Sequence, residues 1–231
     1  MLSKLDKFSK EYLDNSMTCL ILIIFFGTIY GGFIYGFPQE SVTFAKTFLG
    51  DYNYNKSNLW YLGVLNSPPT FQIYFPYVLL KIGIAENLVN FFIGSLSCSL
   101  SFLSLFLITK IITSSNKLSL LPPLFFLFHR FIDTHWYGIY YPVNFFYFGQ
   151  MGMYLAISSV CFYFLDNKKT SSFFLILNIF CHAAWGFFNL IFIFFLYLKD
   201  KEFPSFKFSH LAFFLTLLFV SLITYFEFKE I

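Results

Sequence analysis

MTCLILIIFFGTIYGGFIYGF, residues 17–37, holds no charged side chain and matches the roughly 20 apolar residues that carry a helix across a bilayer. Four later runs repeat that pattern at 88–112, 145–165, 172–198 and 210–226, and Lys110 is the one ionic residue among them. A shorter run at 118–131, interrupted by Pro122 and Pro123, can carry the chain across once more. The expectation is an all-α, polytopic integral membrane bundle of about six or seven transmembrane helices, with juxtamembrane helices after the first span. Residues 1–231 form a single transmembrane domain: a cytoplasmic N-terminus at 1–16, an external juxtamembrane segment at 38–87, and the remaining bundle at 88–231.

Composition agrees. Hydrophobic residues make up 58% of the chain, charged residues 12%, and 38 of 231 residues are Phe, a surface that a soluble domain of this size would not tolerate. The formal charge of +3 is spread among connections, so no nucleic-acid footprint is present and nucleic acid is not an expected partner; membrane lipids are. Cys19, Cys98, Cys161 and Cys181 all fall inside apolar runs and read as small hydrophobic residues, not as disulfide halves or metal ligands. Mixed charges precede the first run and no small-residue cleavage site follows it, so that run reads as a retained helix and not as a cleaved leader.

Lysines suggest the orientation, because cytoplasmic loops retain Lys and Arg. Lys4, Lys7 and Lys10 place the N-terminus inside, the first span leads out, and 88–112 returns Lys110 and Lys117 to the cytoplasm. The run 145–165 then ends at an internal turn with Lys168 and Lys169. Beyond residue 172 two parities compete. A straight helix to 198 leaves Lys199, Lys201 and Lys207 outside, whereas a break near Gly186 brings them inside, and the broken or re-entrant form is the one expected. Many Phe, Lys, Ile, Asn and Tyr residues with a single arginine, Arg130, fit a bacterial inner membrane.

The external segment carries its own pattern. Phe44 and Phe48, and likewise Ala45 and Leu49, are four residues apart, which gives a short helix over 41–49 one apolar face, as an interfacial helix has. Gly50 ends it, and Trp60 with Tyr61 suits the bilayer interface. A second short element over 70–84 opens after Pro68 and Pro69 and contains Gln72, Pro76 and Lys81; it reads as half-inserted or surface-lying.

The words PQESVTFAKTFLGD (38–51) and NSPPTFQIYFPYVLLKIGIAENLVNFFIGSLS (66–97) resemble the N-terminal part of the GT-C membrane glycosyltransferases, in particular the mannosyltransferase and aminoarabinose-transferase branch. The likeness covers residues 17–112. Glu40, Gly50, Pro68, Pro69 and Gly83 carry it. In that family the first span ends at an acidic motif followed by a short helix, and the resemblance implies transfer of a sugar from a polyprenyl-phosphate donor on the external face. The chain departs from the pattern at Gln39, where the family has its first acidic residue, which leaves Glu40 alone.

Such a transfer needs a carboxylate to accept the acceptor's proton and cationic or hydrogen-bonding groups, or a divalent metal, to stabilise the departing phosphate. No protein-bound organic cofactor is expected, and no protein metal site can be assigned. Glu40 fits the catalytic base; the competing reading is that it caps the first turn of the following helix. Asp51 is a second catalytic candidate, against ordinary turn chemistry after a glycine. HRFIDTHWYGIYY, residues 129–141, concentrates Arg130, Asp133, His135 and Trp136 as substrate-binding candidates: Arg130 to clamp a phosphate, the rings to hold a sugar face or an isoprenoid chain. The plainer account of that segment is an interfacial aromatic belt with Arg130 paired to Asp133. Gln150 and His182, with Asn178 and Asn189 nearby, are polar residues inside apolar runs, either facing a substrate cavity or hydrogen-bonding between helices. Outside the transferase class, a noncatalytic assembly or scaffold protein and a small transporter subunit remain as alternatives, the last weakened by the absence of an acidic residue in the middle of any run.

Overall fold

The computed structural model describes residues 15–34, 40–51, 70–128 and 150–200, and among these every regular element is helical. Calls on Arg130, Asp133, His135, Trp136, Gln39, Pro68, Pro69, the interfacial pair Trp60 and Tyr61, the N-terminal lysines and the run 210–226 lie outside the described residues.

Helix α1, Ser16–Thr28, starts where the Asn15 side chain accepts from the Met17 amide at 2.8 Å, and continues as a wider π turn over Ile29–Ile34. Helix α2 is Glu40–Phe48 and α3 is Phe71–Lys81, close to the two short elements expected. Helix α4, Glu86–Thr113, is the only described helix that by itself is long and apolar enough to cross a membrane. Two short helices follow, α5 at Asn116–Ser119 and α6 at Leu121–Phe128. The last three are α7 at Gln150–Phe164, α8 at Lys168–Cys181 and α9 at Ala183–Lys199.

Helix α1 runs antiparallel to α4, and small residues set how close they come. A Cβ on Gly27 would sit 2.6 Å from the Ser99 Cα, and one on Gly31, four residues later, 2.7 Å from the Cys98 Cβ. This is the small-xxx-small contact by which helices without a hydrophobic driving force pack through close backbone approach. The hydroxyls of Ser95 and Ser99 donate across the seam to the Thr28 and Ile24 carbonyls, each at 3.3 Å. Cys19, Cys98 and Cys161 pack with Phe102 and Phe106 in the same apolar cluster, and all four cysteines are buried with no disulfide among them.

The run 172–198 is not one element. The chain breaks at His182, four residues before the expected Gly186, and α9 folds back along α8. Gly186 lies inside α9, so close to Ile179 that an added Cβ would be 2.9 Å from the Ile179 amide nitrogen. Helices α7, α8 and α9 therefore run down, up and down. Ser159 on α7 donates to the Ser171 carbonyl on α8 at 2.9 Å, and the Tyr163 hydroxyl at the end of α7 donates to Asp200 at the end of α9. Helix α4 lies parallel to α7: Val89 and Ile93 pack with Met151, and Ser104 donates to the Tyr154 carbonyl at 3.1 Å.

These directions sort the charges. One end gathers the start of α1, the α4–α5 turn, the α7–α8 turn and the end of α9, since Lys110 and Asn116 both reach the Ser16 hydroxyl at 3.0 and 3.2 Å. That end carries Lys110, Lys117, Lys168, Lys169 and Lys199 against Asp166 and Asp200. The other end carries Lys46 and Lys81 against Glu40, Asp51 and Glu86. Among the described residues no charged side chain lies between the two.

Candidate functional site

The end opposite the five lysines holds most of the described candidates. Helix α2 lies against α3 there through Phe44, Phe48 and Ile73, while Val42 joins Val89, Ile93 and Met151 beneath them. The short helices thus sit over the junction of α4 with α7; Phe44 and Ala45 of the face expected for 41–49 are buried, and Val42 and Thr47, outside that face, are buried with them. Gly50, at φ +80°, stops α2: its amide bonds to the Thr47 carbonyl and that of Asp51 to the Lys46 carbonyl, both at 3.1 Å. This is the Schellman arrangement, for which a glycine in the left-handed region is suited.

Glu40 opens α2, a position compatible with both the base and the helix-cap readings. Asp51 is exposed in the turn that stops the helix, and that backbone role accounts for it. A pairing absent from the sequence reading ties this end together. The Lys46 ammonium lies 2.6 Å from Glu86 at the first turn of α4, across 40 residues of sequence. No local pattern signals a contact of that separation. Lys81 lies over the Tyr77 ring, 5.5 Å from its centroid.

Gln150 begins α7, and its side-chain oxygen is buried with no hydrogen-bond partner. His182 caps α9, its Nδ1 accepting from the Trp185 amide at 3.4 Å. The two lie on the same end, for Gly152 is so close to the break that a Cβ there would sit 2.6 Å from the His182 Cβ. Asn178, one turn before His182, is fully buried, and both amide atoms lack a hydrogen-bond partner; Asn189 on α9 is likewise buried and unpartnered. Buried polar groups without partners mark either tight helix packing or function. Among the described residues no three His, Cys, Asp or Glu side chains converge as metal ligands.

Among the described residues, fold and charge together define an all-α bundle with its ionic side chains at two opposite ends. No protein-family model matches the chain, and no curated protein or solved structure matches it.

Proposed function

We propose that the chain is a polytopic membrane protein of about six or seven spans, seated in a bacterial inner membrane with its five-lysine end in the cytoplasm. The single observation that carries this is the segregation of charge among the described residues: lysines outnumber aspartates at one end, acids outnumber lysines at the other, and an uncharged zone separates them. An excess of lysine on the inner side is what the positive-inside rule requires. The shorter apolar helices α1, α7 and α9 serve as spans beside α4.

At the external end the reading is transfer of a sugar from a polyprenyl-phosphate donor, with Glu40 as general base and Arg130, Asp133, His135, Trp136, Gln150 and His182 as the groups that hold substrate. Support comes from the order of elements. A first apolar helix leads to a short helix opened by Glu40, and Lys46 braces that helix to the next long one. A noncatalytic assembly role is favoured by a different observation: the Glu86 carboxylate is paired with Lys46, so an acid at this end holds two helices together.

Two experiments divide these claims. Single cysteines placed at Lys117, Lys169 and Lys199 should react with an impermeant maleimide from the cytoplasmic side only, and cysteines at Asp51 and Lys81 from the external side only. Mixed labelling removes the membrane topology. Glu40→Gln should abolish transfer from a radiolabelled polyprenyl-phosphate sugar while inserting normally; a variant with unchanged phenotype leaves the assembly role.

A further inference from the structure

We propose that the groove between α4, α7 and α9 binds an anionic phospholipid, one acyl chain lying in the groove and the phosphate meeting the lysines at its lower mouth. The proposal rests on the membrane reading above. The groove has a volume of about 520 Å³ and is walled by Ile108 and Ile112 of α4, Val160 and Phe164 of α7, and Phe188 and Phe192 of α9. Its exposed wall is almost wholly apolar. Asn189 is the polar member of the lining, but its side-chain nitrogen and oxygen are both covered. Such a wall penalises a polar ligand along its length, since each desolvated group would go unpaired, and accepts hydrocarbon. The volume is in the range of sites for small amphiphilic ligands.

Charge selects among lipids. The groove runs from Trp185, level with the first turn of α7, down to Ile112 and Phe164 at the five-lysine end. From that level to Phe164 is about 18 Å of helical rise along α7, comparable with one leaflet's hydrocarbon of about 15 Å. Just past Phe164 the chain turns through Lys168 and Lys169, and two turns past Phe192 it reaches Lys199. Lys169 and Lys199 are exposed. Against these lysines stand Asp166, 3.7 Å from Lys168, and Asp200, which accepts the Tyr163 hydroxyl, so Lys168, Lys169 and Lys199 leave the mouth with an excess of positive charge. A concave hydrocarbon slot that ends beneath ammonium groups fits a lipid with a negatively charged head group, and a zwitterionic lipid fits it less well.

Trp185 lines the groove and can report its occupant. The full-length protein carrying Trp60→Phe and Trp136→Phe is placed in phosphatidylcholine vesicles containing brominated phosphatidylglycerol or, in parallel, brominated phosphatidylcholine. The anionic lipid should quench Trp185 at least about fivefold more effectively per mole fraction, the preference that one lysine near an anionic head group provides. Lys169→Gln with Lys199→Gln, or 1 M salt, should bring the ratio towards one. Equal quenching by both lipids with the lysines intact overturns the proposal in favour of ordinary boundary lipid. Quenching by neither lipid overturns it in favour of a protein segment covering the groove. Release of the protein from the vesicles by alkaline carbonate would instead count against the membrane reading itself.

Discussion

The Lys46 ammonium on α2 and the Glu86 carboxylate on α4 form an ion pair at 2.6 Å, and their side chains are 18% and 41% exposed. At that exposure water screens the attraction, so the expected coupling is modest, about 0.2–1 kcal/mol. A double-mutant cycle of Lys46→Gln and Glu86→Gln, read by melting in detergent, measures it. The coupling should shrink in 1 M salt. Strictly additive single variants would mean the pair does not brace α2 against the bundle.

Gly31 packs on α4 with no room for a side chain, its would-be Cβ lying 2.7 Å from that of Cys98. Gly31→Leu forces the two helices apart and should destabilise the bundle by about 1–3 kcal/mol or more. Gly50→Ala is the comparison. It meets open space, but it places a side chain at φ +80°, a backbone cost of about 1–2 kcal/mol without steric overlap. Melting of the purified protein ranks the two. A Gly31→Leu protein as stable as the parent would show that α1 does not seat on α4 in this way.

The helical class was legible because the signal is length and lack of charge, which α1 and α7 carry along their whole extent and α4 carries between Glu86 and Lys110. The bounds of α2 and α3 were legible for a related reason: Phe44 and Phe48 mark a face, and Gly50 and Gly83 mark the stops. What stayed hidden was tertiary. The run 172–198 contains no proline, so although the broken form was the one expected, hydropathy did not mark its place, which is His182 and not Gly186. The turn at His182 depends on Gly152 and Gly186, each of which meets a residue of another turn or helix only once the fold exists. The Lys46–Glu86 pair is invisible for the same reason. A G-x-x-x-G at Gly27 and Gly31 was readable in the sequence as a helix contact, and it is the one packing signal the reading passed over.

Asn178 is fully buried with neither amide atom hydrogen-bonded. A buried carboxamide without partners costs about 1–3 kcal/mol relative to an apolar group of its shape, so Asn178→Leu should leave the bundle as stable or raise its melting temperature. If the chain is an enzyme and the leucine variant is stable but inactive, the amide is retained for substrate. A loss of stability would contradict the unpartnered state, since only a satisfied amide is destabilising to remove.

The reversal at His182 makes the sharpest geometric claim, because it decides on which side of the bundle α9 ends. If 169–199 were one continuous helix, its ends would stand roughly 45 Å apart at 1.5 Å per residue. In the fold described, Tyr163 reaches Asp200 and packs against Tyr197 with ring centroids 5.2 Å apart. Lys169 and Lys199 therefore sit on neighbouring helices at one end, where interaxial spacings are about 8–10 Å. Spin labels on cysteines at these two positions, in a background lacking the four native cysteines, should give an electron–electron distance below about 25 Å, allowing for the label arms added to that spacing. A distribution centred near 45 Å would straighten the hairpin, move Lys199 to the external side, and remove one of the lysines on which both the topology and the lipid site depend.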